Sequence, residues 1–406
     1  MKTYYFDNSA TTKIKEEVVQ EMLPYLTQNY GNASSLYALG RIAKKGIEEA
    51  REKVANLIGS KKQEIYFTGC GSEADNLAIK GIASLNKNKN HIITTKIEHP
   101  AILETCKFLE KNGVEITYLN VDSNGFIDLN ELKNKITPKT CLISIMFANN
   151  EIGTIEPIEE AAKIAKENNI VFHTDGVQAL GNTLIDVEKL NIDMLSMSAH
   201  KIYGPKGIGA LYVKQGIELE KLIHGGHQEK NLRAGTENVA GIVGFGKASE
   251  LAKNNLKNHI TYVKSLRDYY IEEINKKIPK IKLNGAKNAR LPGNANISFE
   301  GIDGNDLLLE LDNSGICASS ASACSSKETK PSHVLQAIGL NDEQAKGAIR
   351  TTFGDFNTKE EIDYLVNNLE KIVKKLRWFL FWDSSFSKGT VLFQKELSLL
   401  KKKRPK

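Results

Sequence analysis

Between His91 and Val213 short strand-like runs alternate with stretches of helical spacing, and no other feature limits the possible folds as much. The runs are Ile92-Ile-Thr-Thr95, Glu115-Ile-Thr-Tyr-Leu119, Cys141-Leu-Ile-Ser-Ile-Met-Phe147, Ile170-Val-Phe-His-Thr174 and Ile208-Gly-Ala-Leu-Tyr-Val213. This alternation predicts an α/β fold with a doubly wound, mostly parallel sheet and ligand groups at the strand ends. An earlier run, Ile65-Tyr-Phe-Thr68, reads as a further strand leading into a glycine turn. The large domain is expected over residues 14–255. A breaker-poor helical pattern from Val239 to Ile278 links it to a smaller α+β unit, residues 1–13 and 256–376, which closes with a helix from about Lys359 to Leu376. Residues 377–406 hold both tryptophans and a basic end, and read as an appended tail.

The 406 residues suffice for two domains. Of 55 Lys and Arg against 49 Asp and Glu, five basic residues lie at 401–404 and 406, leaving 50 against 49 in the body. No basic face for nucleic acid is therefore expected. Five cysteines without a C-x-x-C pair argue against a disulfide framework and a zinc site, and suit a reduced, cytoplasmic setting. No signal core and no apolar run of membrane-spanning length is found.

Several polar residues fall at the ends of these strands. Lys201, in Ser196-Met-Ser-Ala-His-Lys-Ile-Tyr-Gly-Pro205, sits in a turn between two buried strands. There its amine is suited to meet an aldehyde cofactor; a surface lysine in a Gly-Pro loop is the plainer reading. Gly69-Cys-Gly-Ser-Glu73 opens a helix, where backbone amides make a phosphate site or simply a turn. Asp175 is a partner for a protonated pyridine nitrogen or a helix cap. His99 stacks on a planar ring, moves a proton, or opens the helix that Pro100 begins. Asn149-Asn150 offers amide donors or forms a turn. Cys324, among small polar residues, has the setting of a reactive thiol, while Cys106, Cys141 and Cys317 read as packing residues. Residues 7–12, Asp-Asn-Ser-Ala-Thr-Thr, read as a polar capping run before the first helix.

In order, Asp7-x-Ser-Ala-Thr-Thr, Thr68-Gly-Cys-Gly-Ser-Glu-Ala-Asp-Asn76, Glu98-His99, Asn149-Asn-Glu-Ile-Gly153, Asp175-x-x-Gln178, Ser198-Ala-His-Lys201, Arg233-Ala-Gly-Thr-Glu-Asn238 and Ser322-Ala-Cys324 resemble the cysteine desulfurases of the NifS/IscS branch, within the class V aminotransferase group of pyridoxal-phosphate enzymes. The match runs to about Leu376. The resemblance implies a fold type I homodimer binding pyridoxal 5'-phosphate. In it Lys201 is the Schiff-base lysine, Asp175 meets the pyridine nitrogen, Gln178 the ring hydroxyl, and His99 stacks on the ring. It further implies phosphate contacts from Gly71, Ser72, Ser198 and His200, with Thr236 reaching in from the partner subunit. Asn150 and Arg350 would hold the substrate carboxylate.

The implied reaction removes sulfur from L-cysteine, leaving L-alanine and a persulfide on Cys324. That sulfur would pass to acceptor proteins for iron–sulfur assembly or tRNA thiolation. A selenocysteine lyase or an aminotransferase of the same fold is the alternative. The sequence departs from the family's pattern at Cys70, where glycine is common, at Asp355, where arginine is common, and throughout the tail.

Overall fold

A computed structural model describes residues 2–85, 88–320 and 331–386, with side chains as far as Trp378. Seven strands build its large sheet, in the order Ile65–Thr68, Gly209–Val213, Met194–Ser198, Val171–Asp175, Thr140–Ser144, His91–Thr95 and Glu115–Leu119. Only Gly209–Val213 runs against the others. Helices cover both faces, so the central strands are buried along their whole length and their sequences are continuous apolar runs, not alternating ones. The run that began at Cys141 leaves the regular ladder at Ser144. Its next residues stay extended, with Ile145 and Phe147 donating to the carbonyls of His173 and Asp175 at 3.1 and 2.9 Å.

The outer strand Ile65–Thr68 would expose unpaired backbone groups, a hazard at any sheet edge. A buried ion pair covers it. Arg51 Nη1 donates to the Ile65 carbonyl at 2.8 Å, Phe67 N–H donates to Glu229 at 2.8 Å, and Arg51 and Glu229 bind each other through two contacts of 2.7 and 2.8 Å.

A second, antiparallel sheet has the order Ser319–Ser320, Ala348–Thr352, Asn294–Phe299 and Ile281–Leu283. Beside it, Tyr4–Tyr5 pairs in parallel with Ile316–Cys317. The helix Val239–Lys277 joins the two parts. Its first third places Ile242, Phe245 and Ala248 in the core of the large sheet, and its second half places Val263, Leu266, Tyr270 and Ile274 in a separate core under the small one. Truncating a buried aromatic such as Tyr270 costs about 3–5 kcal/mol, so each core strongly holds its end of this helix.

Two expectations need adjustment. Residues 7–12 cap no helix: the first helix, Glu16–Thr27, starts after Lys15 with no side-chain cap, and the polar run serves elsewhere. The last helix, Lys359–Phe386, does not stop at Leu376, because residues 377–386 contain no glycine or proline to end it. Arg377 then donates to the backbone carbonyls of Pro279, Lys280 and Glu300, which fixes the helix to the small sheet.

Candidate active site

Because six strands of the large sheet run in parallel, their carboxyl ends share one edge, where ligand groups gather in such sheets. Residue 69 follows Thr68, His99 follows Thr95, Asn150 lies beyond Ser144, Asp175 ends its own strand, and Lys201 follows Ser198 by a single 3-10 turn, Ala199–Lys201.

Residues 8–12 lie across this turn. Lys201 Nζ donates to the carbonyls of Ser9 and, at 2.8 Å, of Ala10, while Gln178 Nε2 donates to the Ser9 carbonyl at 3.0 Å. Thr12 Oγ1 donates to the His200 carbonyl at 2.9 Å and accepts from Tyr203 N–H at 2.8 Å. Nothing in the composition of residues 8–12 announced this role. By composition the segment reads as a helix cap, and only the family resemblance of Asp7-x-Ser-Ala-Thr-Thr marks it.

Asp175 is buried, and its Oδ1 accepts from Val177 N–H at 2.9 Å. Burial raises its carboxyl above the usual range, while His99, the Val177 amide and Lys201 pull it down. A cation or charged N–H donor placed against it would offset that cost. His99 does open the helix Pro100–Glu110, its Nδ1 accepting from Ala101 N–H at 3.2 Å. It is also within electrostatic reach of Asp175 and Lys201. Burial lowers its ring, Asp175 raises it, and Lys201 and His333 lower it further. His200, with Nδ1 3.2 Å from Thr11 Oγ1, is lowered to about 4 by burial and by Lys201 and Lys206, so it is neutral near pH 7.

The fit of pyridoxal phosphate can be judged from this geometry. Gly71 begins the helix Gly71–Leu85, and a Cβ there would lie 2.7 Å from Val177 Cγ2 and 3.5 Å from Ser198 Cβ. The helix start therefore packs against the turn after Asp175 and against Ser198. Ser198 Oγ is buried and has no hydrogen-bond partner among the described residues. Helix amides, an unpartnered hydroxyl, a buried carboxylate and an amine on one sheet edge suit a phosphorylated pyridine aldehyde. Ser72 is exposed in the first turn of the same helix.

Arg350 comes from the other sheet, on Ala348–Thr352, and is 4 % exposed at its side chain. Its Nη2 donates to Asp7 Oδ1 at 2.8 Å and its Nη1 to the Asn150 carbonyl at 3.2 Å, while its Nε is buried without a hydrogen-bond partner among the described residues. Asn150 thus meets Arg350 through its backbone. Thr236 is exposed and lines a cavity of about 160 Å3 with Thr68, Gly69 and Arg233, a different space from those Lys201 lines. Cys324 lies outside the described residues. The chain beyond them is tied to the site: Ser332 Oγ donates to Glu151 at 2.5 Å, and His333 Nε2 meets the Glu98 carbonyl at 3.0 Å. Asp355, one of the unusual residues, binds Lys15 at 2.6 Å and also pairs with His259; burial would raise its carboxyl, but these two partners outweigh that and hold it low.

The family model for class-V aminotransferases matches residues 4–365, and the chain belongs to that family. Within it the chain is closely related to the NifS/IscS cysteine desulfurases, whose cofactor is pyridoxal 5'-phosphate. It is 56% identical over 379 residues to "Cysteine desulfurase IscS" of Clostridium botulinum, covering 93% of this chain and 96% of that one. It is 53% identical to the protein of the same name from Methanosarcina thermophila, covering 93% of each. Among solved structures, a NifS-like protein superposes with a TM-score of 0.87 at 39% identity, over 92% of this chain and all of that one. SspA in complex with cysteine superposes with a TM-score of 0.78 at 37% identity, over 88% and 100%.

Among the described residues no helix is long and apolar enough to cross a membrane.

Proposed function

We propose that this chain is a pyridoxal-phosphate-dependent cysteine desulfurase. The observation that carries the reading is the placement of the Lys201 amine and the Asp175 carboxylate at adjacent strand ends, in a chain 56% identical to a cysteine desulfurase. Bound there, pyridoxal phosphate supplies an electron sink that loosens the bonds of the substrate's α-carbon.

In this reading the chain's own residues bind, orient and move protons. Lys201 is the residue to which the cofactor is attached, and its amine is held between the Ser9 and Ala10 carbonyls. Asp175 keeps a positive charge on the ring nitrogen. Gln178 faces the ring hydroxyl and His99 covers the ring. Gly71, Ser72, Ser198 and His200 take the phosphate. Arg350, with Asn150 beside it, takes the substrate carboxylate by a charge-assisted contact. Cys324 as thiolate attacks the substrate sulfur; the C–S bond breaks, the sulfur stays on Cys324 as a persulfide, and the carbon skeleton leaves as alanine.

A homodimer is part of the proposal. Leu23, Leu26, Tyr30, Leu36 and Tyr37 are all more than 45% exposed, a run of apolar surface of the kind that marks protein interfaces. Thr236, away from its own Lys201, is free to serve a second copy. Sulfur-acceptor proteins of iron–sulfur assembly or tRNA thiolation are the proposed recipients, in the cytoplasm.

The test is to incubate the purified protein with L-cysteine and quantify alanine and sulfide, with and without a thiol reductant. Cys324→Ala is expected to abolish release of sulfur; unchanged alanine formation in that variant would refute thiol attack and favour a selenocysteine-lyase-like enzyme. Sedimentation should give twice the 45.0 kDa chain mass.

A further inference from the structure

One two-contact ion pair links the Arg233-Ala-Gly-Thr motif to the glycine turn. Arg233 binds Glu73 through Nε–Oε1 and Nη2–Oε2 contacts of 2.8 and 3.3 Å, and Glu73 Oε2 accepts from Gly69 N–H at 2.8 Å. A Cβ on Gly69 would lie 2.8 Å from Glu73 Oε2 and 3.7 Å from Arg233 Nη2, so the pair lies directly over this turn. Glu229, Lys230 and Asn231 have φ of 45°, 55° and 69°, three consecutive left-handed residues without a glycine. Such strain persists only where the surroundings over-determine it. Here Arg51 clamps Glu229, and Lys230 Nζ donates to the Gln63 carbonyl.

Glu73 stands in the first turn of the helix Gly71–Leu85. A lone carboxylate favours a helix start, but it repels an anion bound at that same start. Arg233 cancels that charge and leaves Glu73 free to hold Gly69 N–H. Ser198 Oγ, buried beside Gly71 and without a hydrogen-bond partner among the described residues, is a second sign that a polar group is to be bound here.

We propose that Arg233 is a positioning residue for phosphate recognition: by pairing with Glu73 it neutralises the helix start and fixes the turn at residues 69–72 in the shape that takes a phosphate dianion. The inference rests on the reading of this edge as a pyridoxal-phosphate site and adds residues that do not themselves touch the cofactor.

The test compares pyridoxal 5'-phosphate with pyridoxal, which lacks the phosphate, by absorbance titration of the full-length apoprotein. Arg233→Met is expected to weaken pyridoxal phosphate by about tenfold or more, the scale of one uncompensated charge, and pyridoxal by less than about twofold. Adding Glu73→Gln, whose amide oxygen still accepts from Gly69 N–H, is expected to restore most of the lost preference. Equal losses for both ligands, or no recovery in the double variant, would overturn the inference while leaving the functional reading intact. A wild-type protein that binds neither ligand would overturn both. A change in folding lowers both affinities together, so the ratio separates it from the proposed role.

Discussion

Asp7 and Arg350 are 343 residues apart in sequence, yet a carboxylate oxygen of one lies 2.8 Å from a guanidinium nitrogen of the other. Ser319 Oγ donates to the second oxygen of Asp7 at 2.5 Å. The amino-terminal segment that covers Lys201 is thereby pinned to the strand carrying the proposed carboxylate-binding arginine. Asp7 is the counter-ion of Arg350; on the proposed reading of Arg350, a substrate carboxylate would take over part of that charge pairing.

Replacing Asp7 by Asn should leave a buried guanidinium without its countercharge and cost about 3 kcal/mol of stability. An added amino acid carboxylate should restore part of it. Thermal unfolding with and without saturating L-alanine checks this: the stabilisation by L-alanine should be larger in Asp7→Asn than in the parent, and an equal or smaller shift would show that Arg350 does not receive the carboxylate.

Ser198 offers a cleaner separation of folding from binding. Its hydroxyl has no hydrogen-bond partner among the described residues, so Ser198→Ala should leave the apoprotein's stability within about 0.5 kcal/mol of the parent. Cofactor affinity should fall by about tenfold, the worth of one hydrogen bond to a charged group. A drop in apoprotein stability without loss of affinity contradicts the assignment.

Glu151 predicts a pH dependence. Burial raises its carboxyl to about 7, against the pull of Ser332 and Arg350. Between its usual value near 4.5 and 7 the folded state binds more protons than the unfolded one, so this group's contribution to stability is complete at low pH and is lost as pH rises through 7. Glu151→Gln keeps an acceptor for Ser332 and cannot ionise. Urea titrations at pH 5 and pH 8 should show a smaller loss of stability with rising pH in the variant than in the parent; parallel slopes would mean that Glu151 does not titrate in this window.

The carboxyl-terminal extension is the fourth case. The small core takes its last buried side chains from the final helix at Ile372 and Val373, with Leu376 packed at its margin, and Arg377 holds the turn at Pro279 and Lys280. Ending the chain after Trp378 should therefore leave alanine formation from L-cysteine unchanged within about twofold, because the anchoring of the final helix to the small core is already complete at Arg377. A collapse in turnover would show that residues 379–406 act on the site.

How far the sequence carries can be judged strand by strand. The run at Ile65–Thr68 is legible to the residue, since Glu64 before it and Gly69 after it bound the apolar stretch. The run from Cys141 is not, because Ile145 and Phe147 are as apolar as the strand, and only the pairing with the Val171–Asp175 strand decides where the ladder ends. The final helix overran its expected end for the same reason: with no breaker present, local composition carries no stop.

By itself, the sequence determined the kinds of residue at the strand ends: an amine at Lys201, a carboxylate at Asp175, an imidazole at His99 and small residues at the glycine turn. It did so because a parallel sheet brings the ends of separate runs to one edge, so order along the chain is enough to collect them. The tertiary structure alone decided which groups hold those residues in place. Asp7 on Arg350, the Ser9 and Ala10 carbonyls on Lys201, and Arg233 on Glu73 pair groups 160 or more residues apart. Such contacts leave no local period or motif, because they depend on how two cores and a sheet edge pack in space, and no one segment contains that information.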